Sequence, residues 1–246
     1  FSDTDKNISL LDISETFGTY DGSFVLYDNN LDSWKIYDLE EATKRIPPES
    51  TYKIYDALLG LESGIITPEH SSMTWNGDAF PFPSWEADQD LNSAMQNSVN
   101  WYFQAIDSQL GINRVQEFLN KIEYGNQTTS SNLDLYWSDF SLKISPLEQV
   151  TLLKKFNTNE FHLNSQNVFS VKNAIKIAST PNGNFYGKTG TGRVNGQDIN
   201  GWFIGYVETS DNSYYFATNI QSDSNATGKK AFEITSDILK KLHIRN

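Results

Sequence analysis

The stretch that decides the fold is Pro48-Glu49-Ser50-Thr51-Tyr52-Lys53, which runs directly into Ile54-Tyr55-Asp56-Ala57-Leu58-Leu59-Gly60-Leu61. Pro47 and Pro48 end an extended segment. Tyr52, Tyr55, Leu58, Leu59 and Leu61 then recur at helical spacing, so Ser50 falls at an N-cap or first-turn position. A serine there sits beside backbone N–H groups that the helix leaves unpaired. Lys53 lies one turn on, along the same face. A hydroxyl, an amine and N–H donors suited to an oxyanion are thus expected within one turn. Serine needs an adjacent base to become a nucleophile, and lysine serves as one only when burial keeps its amine neutral. Alone, Ser-x-x-Lys is more often a capping serine with a solvated lysine, so partners further along the chain decide.

Composition narrows the chemistry. With 246 residues, 38% of them hydrophobic, the chain suits one substantial domain or two tightly joined lobes. It has no cysteine, which removes disulfides and thiolate zinc sites, and only three scattered histidines (His70, His162, His243), which disfavours a Ser-His-Asp triad or a histidine metal site. A lysine base gains value accordingly. The net charge of −12 argues against nucleic acid as a partner and against an anionic membrane surface. An anionic small molecule would need a local cationic pocket, for which Lys53, Lys188, Lys229 and Lys230 are candidates. The polar opening Phe1-Ser2-Asp3-Thr4-Asp5-Lys6 and the lack of a long apolar run read as a mature or excised soluble fragment.

Outward from Ser50, the pattern is helical in the middle with strands at both ends. Before it come a lead-in over Phe1 to Thr19 with helical character from Leu10 to Phe17, a hairpin of Gly22–Asp28 with Ser33–Asp38, and a short helix from Glu40 to Arg45. After it, Ile65 to Glu86 holds Pro68, Gly77, Pro81 and Pro83 and should be irregular. Its Trp75, Phe80, Phe82 and Trp85 read as anchors of a packed loop in preference to a ligand wall. Helices are expected from Asp90 through Ile106, from Asn113 to Lys121, from Pro146 to Lys155 and from Gln166 to Ala178. Strands follow at Phe185–Lys188, Asn200–Thr209 and Ser213–Ile220, then an amphipathic helix from Lys229 to His243. Terminal strands must pair to close a core, which predicts an α/β (α+β) domain over 1–246. Its mainly antiparallel central sheet comes from about 1–48 and 180–246, with a helical lobe from about 49 to 179.

Two further motifs join Ser50 and Lys53. Ser98-Val99-Asn100 puts a hydroxyl and a carboxamide two residues apart between helical segments, suited to relaying a proton and holding an amine. Lys188-Thr189-Gly190-Thr191-Gly192 lies on or just after a predicted strand. Its glycine permits close ligand approach, and its lysine and threonines suit a carboxylate. Helix caps and a strand-end turn are the plain alternatives, but in this order the three motifs form a strong combined signal.

The chain resembles the penicillin-recognising serine family over nearly its whole length, with the serine β-lactamase fold that implies. Tyr124-Gly125-Asn126, Trp137 and Ser141-Leu142-Lys143-Ile144-Ser145 resemble the class D branch. Ser50 to Tyr55, Met73 to Asn76 and Gln89 to Phe103 are similar to the extracellular sensor domain of β-lactam receptors of BlaR/MecR type from Gram-positive bacteria. The resemblance implies that Ser50 attacks the β-lactam carbonyl, with Lys53 as general base after carbon dioxide converts its amine to a carbamate that the Trp137 indole holds; no other cofactor and no metal is implied. Ser98, assisted by Lys188, passes a proton to the leaving nitrogen. The N–H groups of Ser50 and Thr191 form the oxyanion hole, and Thr189, Gly190 and Thr191 bind the antibiotic with Lys188. Class D enzymes often hold the carboxylate with an arginine after the last strand. Gln221 to Lys230 has none, leaving Lys229, Lys230 or the threonines.

Class D hydrolases usually have valine where this chain has Asn100. A carboxamide oxygen there accepts from a protonated Lys53 and would trap the ester, so the expected function is a covalent antibiotic sensor without net turnover. It would lie on the outer face of the cell membrane as part of a larger receptor chain. A class D β-lactamase is the alternative; an unreactive scaffold or a cell-wall transpeptidase fits the motifs less well.

Overall fold

The structure is a computed structural model and describes residues 7–245. In chain order the first elements are β1 (Ile8–Leu10), α1 (Ser14–Phe17), β2 (Asp21–Asp28), β3 (Ser33–Tyr37) and α2 (Leu39–Thr43). A 3-10 turn, Glu49–Tyr52, leads into α3 (Lys53–Glu62), and a second, Pro83–Trp85, interrupts an otherwise irregular stretch. Then come α4 (Leu91–Gln96), α5 (Asn100–Leu110), α6 (Ile112–Lys121), α7 (Pro146–Asn157) and α8 (Ser165–Ala174). The chain closes with β4 (Lys176–Thr180), β5 (Gly183–Val194), β6 (Gln197–Glu208), β7 (Ser213–Gln221) and α9 (Gly228–Lys241).

The sheet runs β1-β3-β2-β7-β6-β5-β4. Its pairs are antiparallel except for β1 with β3. The two chain ends therefore meet where β2 pairs with β7, Val25 opposite Ala217. Strand alternation builds two cores, one on each face. Val25, Tyr27, Trp202, Ile204, Tyr206, Tyr215 and Ala217 face the helical lobe. Phe24, Leu26, Phe203, Val207, Phe216 and Ile220 face Ile234, Ile238 and Leu239 of α9. The helical lobe closes over the first core through α3, whose residues from Lys53 to Leu61 are all buried. A helix buried all round must lie between other elements.

Three local expectations are corrected. The helix expected over Leu10–Phe17 is only the turn Ser14–Phe17, because Ile8–Leu10 pairs with β3 instead; the part of the lead-in on residues 1–6 lies outside the described residues. The helix expected to reach Ala178 stops at Ala174, and β4 follows. Being an edge strand with mostly exposed side chains, β4 carries no alternating pattern to reveal it. Finally, the strand expected at Phe185–Lys188 continues to Val194, so Lys188-Thr189-Gly190 lies within it and not at a turn.

Ile238, fully buried beneath the sheet, and Phe169, largely exposed on α8, give a direct test of this layering. Ile238→Ala is expected to cost about 2–5 kcal/mol by urea unfolding, whereas Phe169→Ala should stay within about 0.5 kcal/mol of the parent.

Candidate active site

The turn that presents Ser50 is held on every side. The Pro47 carbonyl accepts from Asn200 Nδ2 at 3.1 Å and from Trp202 Nε1 at 2.8 Å, both on β6. The Glu49 N–H donates to the Trp137 carbonyl at 3.0 Å, and Thr51 Oγ1 donates to the Pro48 carbonyl at 2.6 Å while accepting from Gln149 Nε2 at 2.9 Å. Two non-glycine residues beside the site adopt left-handed backbone angles, Glu49 (φ 52°) and Ser98 (φ 53°). Such conformations cost about 1–3 kcal/mol each and persist where surrounding contacts over-determine them.

From this turn α3 carries Lys53 straight into the interior, where none of its surface remains exposed. Its Nζ lies 2.7 Å from Ser50 Oγ and 3.1 Å from Ser98 Oγ, and it donates to the Ser98 carbonyl at 3.2 Å and to Asn100 Oδ1 at 2.5 Å. The rings of Phe103 and Trp137 wall it at 5.7 and 5.9 Å from their centroids. Lys188 on β5 completes the set, donating to Ser98 Oγ at 3.0 Å and to the Thr189 carbonyl at 2.9 Å. Side chains from three separate motifs thus share one continuous polar contact. A neutral amine has two N–H donors and one lone pair; here it can donate to Asn100 and Ser98 while accepting the Ser50 hydroxyl proton.

Burial sets the electrostatics. Desolvation, reinforced by the nearby Lys188 charge, drives the Lys53 amine well below the usual lysine range. Desolvation alone brings Lys188 down to about 7. Glu49, immediately before Ser50, is buried and pushed up to about 8, opposed in part by its hydrogen bond from Asn200. One turn beyond Lys53, Asp56 is buried beside Asp107 of α5; burial raises both carboxyls, and the Asp107 charge raises Asp56 further, whereas the contact with Asp56 opposes the rise at Asp107. Among the described residues, no group of three or more His, Asp or Glu is placed to hold a metal ion.

Above these groups opens a cleft of about 290 Å³ lined by Ser50, Ser98, Asn100, Thr189, Gly190 and Thr191, with Phe82, Ser84, Trp85 and Asn97 opposite. The expected site residues therefore come together, with Trp137 behind Lys53. Neither Lys229 nor Lys230 lines the cleft, and Lys230 instead pairs with Glu233 at 3.5 Å on the surface of α9. Thr189 and Thr191 remain as hydroxyls at the cleft. The Thr191 hydroxyl also accepts from the N–H of Gly228 at 2.9 Å, tying the start of α9 to β5.

Two sequence expectations change at the site. Phe82 and Trp85 are not only loop anchors: they form its outer wall, with ring centroids 5.2 Å apart. Trp85 is fixed there by donating Nε1 to the Asn97 carbonyl, and Trp101 Nε1 donates to the Trp85 carbonyl. Nothing in a proline-rich segment reveals which long-range partner it covers. Gly190 borders the cleft, and both Gly190 and Gly192 admit the protein's own nucleophile turn: a Cβ at Gly190 would lie 3.2 Å from the Ser50 nitrogen, and one at Gly192 would collide with Glu49 Oε1. Their alternate spacing on one strand face was the available signal.

Comparison with known proteins agrees with this geometry. Residues 22–240 match the family described as penicillin binding protein transpeptidase domain. The regulatory protein BlaR1 of Bacillus licheniformis is 47% identical over 237 residues, 96% of this chain and 39% of that protein, so the chain spans about two-fifths of that relative's length. The solved C-terminal domain of the Bacillus licheniformis BlaR penicillin-receptor superposes with a TM-score of 0.95 at 45% identity, covering 98% of this chain and 99% of that one. The class D β-lactamase BAT-2 superposes with a TM-score of 0.90 at 36% identity, covering 96% and 97%. No helix among the described residues is long and apolar enough to cross a membrane. With its three motifs assembled around one buried lysine, this chain belongs to the penicillin-binding protein transpeptidase-domain family, in the branch that unites BlaR/MecR sensor domains with class D β-lactamases.

Proposed function

We propose that this chain is the sensor domain of a β-lactam receptor, on the outer face of a Gram-positive cell membrane, and that it reports the antibiotic by forming a long-lived ester at Ser50. The remainder of such a receptor would be carried by chain outside residues 1–246. The observation that carries the reading is the position of the Lys53 amine, between Ser50 Oγ and Asn100 Oδ1.

In this reading the Ser50 Oγ proton leaves toward Lys53 as Oγ bonds to the lactam carbonyl carbon. The N–H groups of Ser50 and Thr191 receive the carbonyl oxygen as it becomes anionic. The ring C–N bond then breaks, and its nitrogen takes the Ser98 hydroxyl proton, which is replaced through Lys188. Lys188, Thr189 and Thr191 hold the antibiotic's carboxylate. A carbamate formed from carbon dioxide on Lys53 would supply an anionic oxygen as the base at the same place. The Phe103 and Trp137 rings that wall Nζ would enclose such a group, and the Trp137 indole N–H would hold it.

Hydrolysis needs a base to activate water against the ester. Asn100 opposes that, because its Oδ1 accepts from Nζ and favours the ammonium form, which has no lone pair to offer. Valine at that place would remove the acceptor and favour the uncharged amine. A class D β-lactamase remains the second reading, supported by the fold shared with BAT-2.

Intact-protein mass spectrometry after mixing with excess penicillin should show one persistent adduct per chain; sustained antibiotic loss over many turnovers would favour the hydrolase. Asn100→Val should shorten the adduct's lifetime by about tenfold or more, equal to about 1.4 kcal/mol off the deacylation barrier, and an unchanged lifetime would remove Asn100 from the trapping step. Lys188 loses its charge as pH climbs through about 7, so second-order acylation by a carboxylate-bearing β-lactam should fall above that pH. A rate flat across neutral pH would remove its charge from binding. Trp85→Ala should weaken β-lactams bearing an aromatic side chain by about 0.5–1.5 kcal/mol relative to aliphatic ones, read as a ratio of acylation rates.

A further inference from the structure

Directly before the nucleophile stands a carboxyl that the chemistry above does not use. Glu49 is buried, and one of its oxygens, Oε1, accepts from Asn200 Nδ2 at 3.2 Å. The same Asn200 amide donates to the Pro47 carbonyl, while its own oxygen accepts from Asn219 Nδ2 at 2.8 Å, and Asn219 in turn accepts from Gln221 Nε2 at 3.0 Å. A ladder of neutral amides thus runs from β7 across β6 to the residue before Ser50. On the other side Gly192 gives Glu49 its room, since any Cβ there would collide with Oε1. The Glu49 backbone is in the left-handed region, where a non-glycine residue is held by its surroundings.

The carboxyl borders a separate cleft of about 140 Å³, walled by Ile46, Pro47, Phe140, Val194 and Ile199. The charged groups around it are Lys53 on α3 and Arg193 on β5, which is already paired with Asp198 of β6 at 2.8 Å. Asn200 and Gln221, from β6 and β7, are neutral. No cation is hydrogen-bonded to the Glu49 carboxylate among the described residues, so its ionised form is poorly compensated.

We propose that Glu49 is a positioning residue whose neutral carboxyl, wedged between Gly192 and Asn200, fixes the turn that presents Ser50 and keeps negative charge away from the oxyanion donors. Ionised, the same carboxyl would sit one residue from the Ser50 N–H and repel the oxyanion forming on it. The group is thus a device that weakens acylation at alkaline pH. The inference rests on Ser50 being the nucleophile that the antibiotic acylates.

Three measurements on the full chain test it. The Glu49 carboxyl, followed by carbon-13 NMR, should titrate near 8 and not in the ordinary carboxylate range. The ratio of wild-type to Glu49→Gln acylation rates, in which the Lys188 titration cancels, should be level at acid pH and fall as pH rises through about 8. Glu49→Ala should acylate about ten- to a hundredfold more slowly at every pH, and Glu49→Gln should restore the neutral-pH rate. Stability gives an arm independent of acylation. Folding raises this pKa, so the contribution of this carboxyl to stability falls as pH rises from about 4.5 to about 8, and the Tm advantage of Glu49→Gln should grow over that window. Wild-type rates in Glu49→Ala, a Glu49→Gln variant as slow as Glu49→Ala, or an ordinary titration would each overturn the proposal. If the wild type forms no ester, the sensor reading fails by itself, while titration and Tm still decide whether the carboxyl is held neutral in the turn.

Discussion

The structure depends on one act of burial, the removal of the Lys53 amine from water. An amine in water is an ammonium and no base; enclosed by Ser50, Ser98, Asn100 and two aromatic rings, it is driven toward the uncharged form. That enclosure needs three parts of the chain at once. The 3-10 turn and α3 bring the amine, the break between α4 and α5 brings Ser98 and Asn100, and β5 brings Lys188. The sheet between the chain ends is the frame that holds β5 against the nucleophile turn, and Gly190 and Gly192 set how close it comes.

The same low-polarity interior acts on every ionisable group near the site, and in one direction: toward neutrality. Lys53 and Lys188 are moved down, while Glu49, Asp56 and Asp107 are moved up. Charge is therefore scarce where the lactam would react, and small changes in hydrogen bonding select which group carries it. Asn100 illustrates the point. A carboxamide oxygen beside Nζ is a minor change in volume from valine, yet under the proposed function it favours the ammonium form, which has no lone pair with which to activate water. Whether a domain of this fold hydrolyses its antibiotic or holds it is on this view a question of one proton at one nitrogen.

The polar ladder from Gln221 through Asn219 and Asn200 serves the same end. It satisfies the Pro47 carbonyl at the nucleophile turn with a neutral donor, so the turn is anchored to the sheet without bringing a cation near the reacting centre. The outer wall of Phe82 and Trp85 faces the opposite requirement, since a cleft that admits a partly apolar antibiotic needs apolar surface at its mouth.

By itself, the sequence determined the order of the motifs, the helical face linking Ser50 to Lys53, the hairpin near the start and the strands near the end. These are local matters of period and spacing, and the sheet drawn from both ends followed because terminal strands had no other partners. What only the tertiary structure decided depends on contacts between distant residues. The proline-rich aromatics gave no sign that they wall the cleft, and β4 gave none because an exposed edge strand lacks alternation. Lys229 and Lys230 looked available as charges, but the start of α9 turns them away from the site. Glu49 carried no signal in the sequence. Only the fold encloses it between β6 and Gly192, and a side chain's pKa is set by what folding places around it and not by its neighbours in the chain.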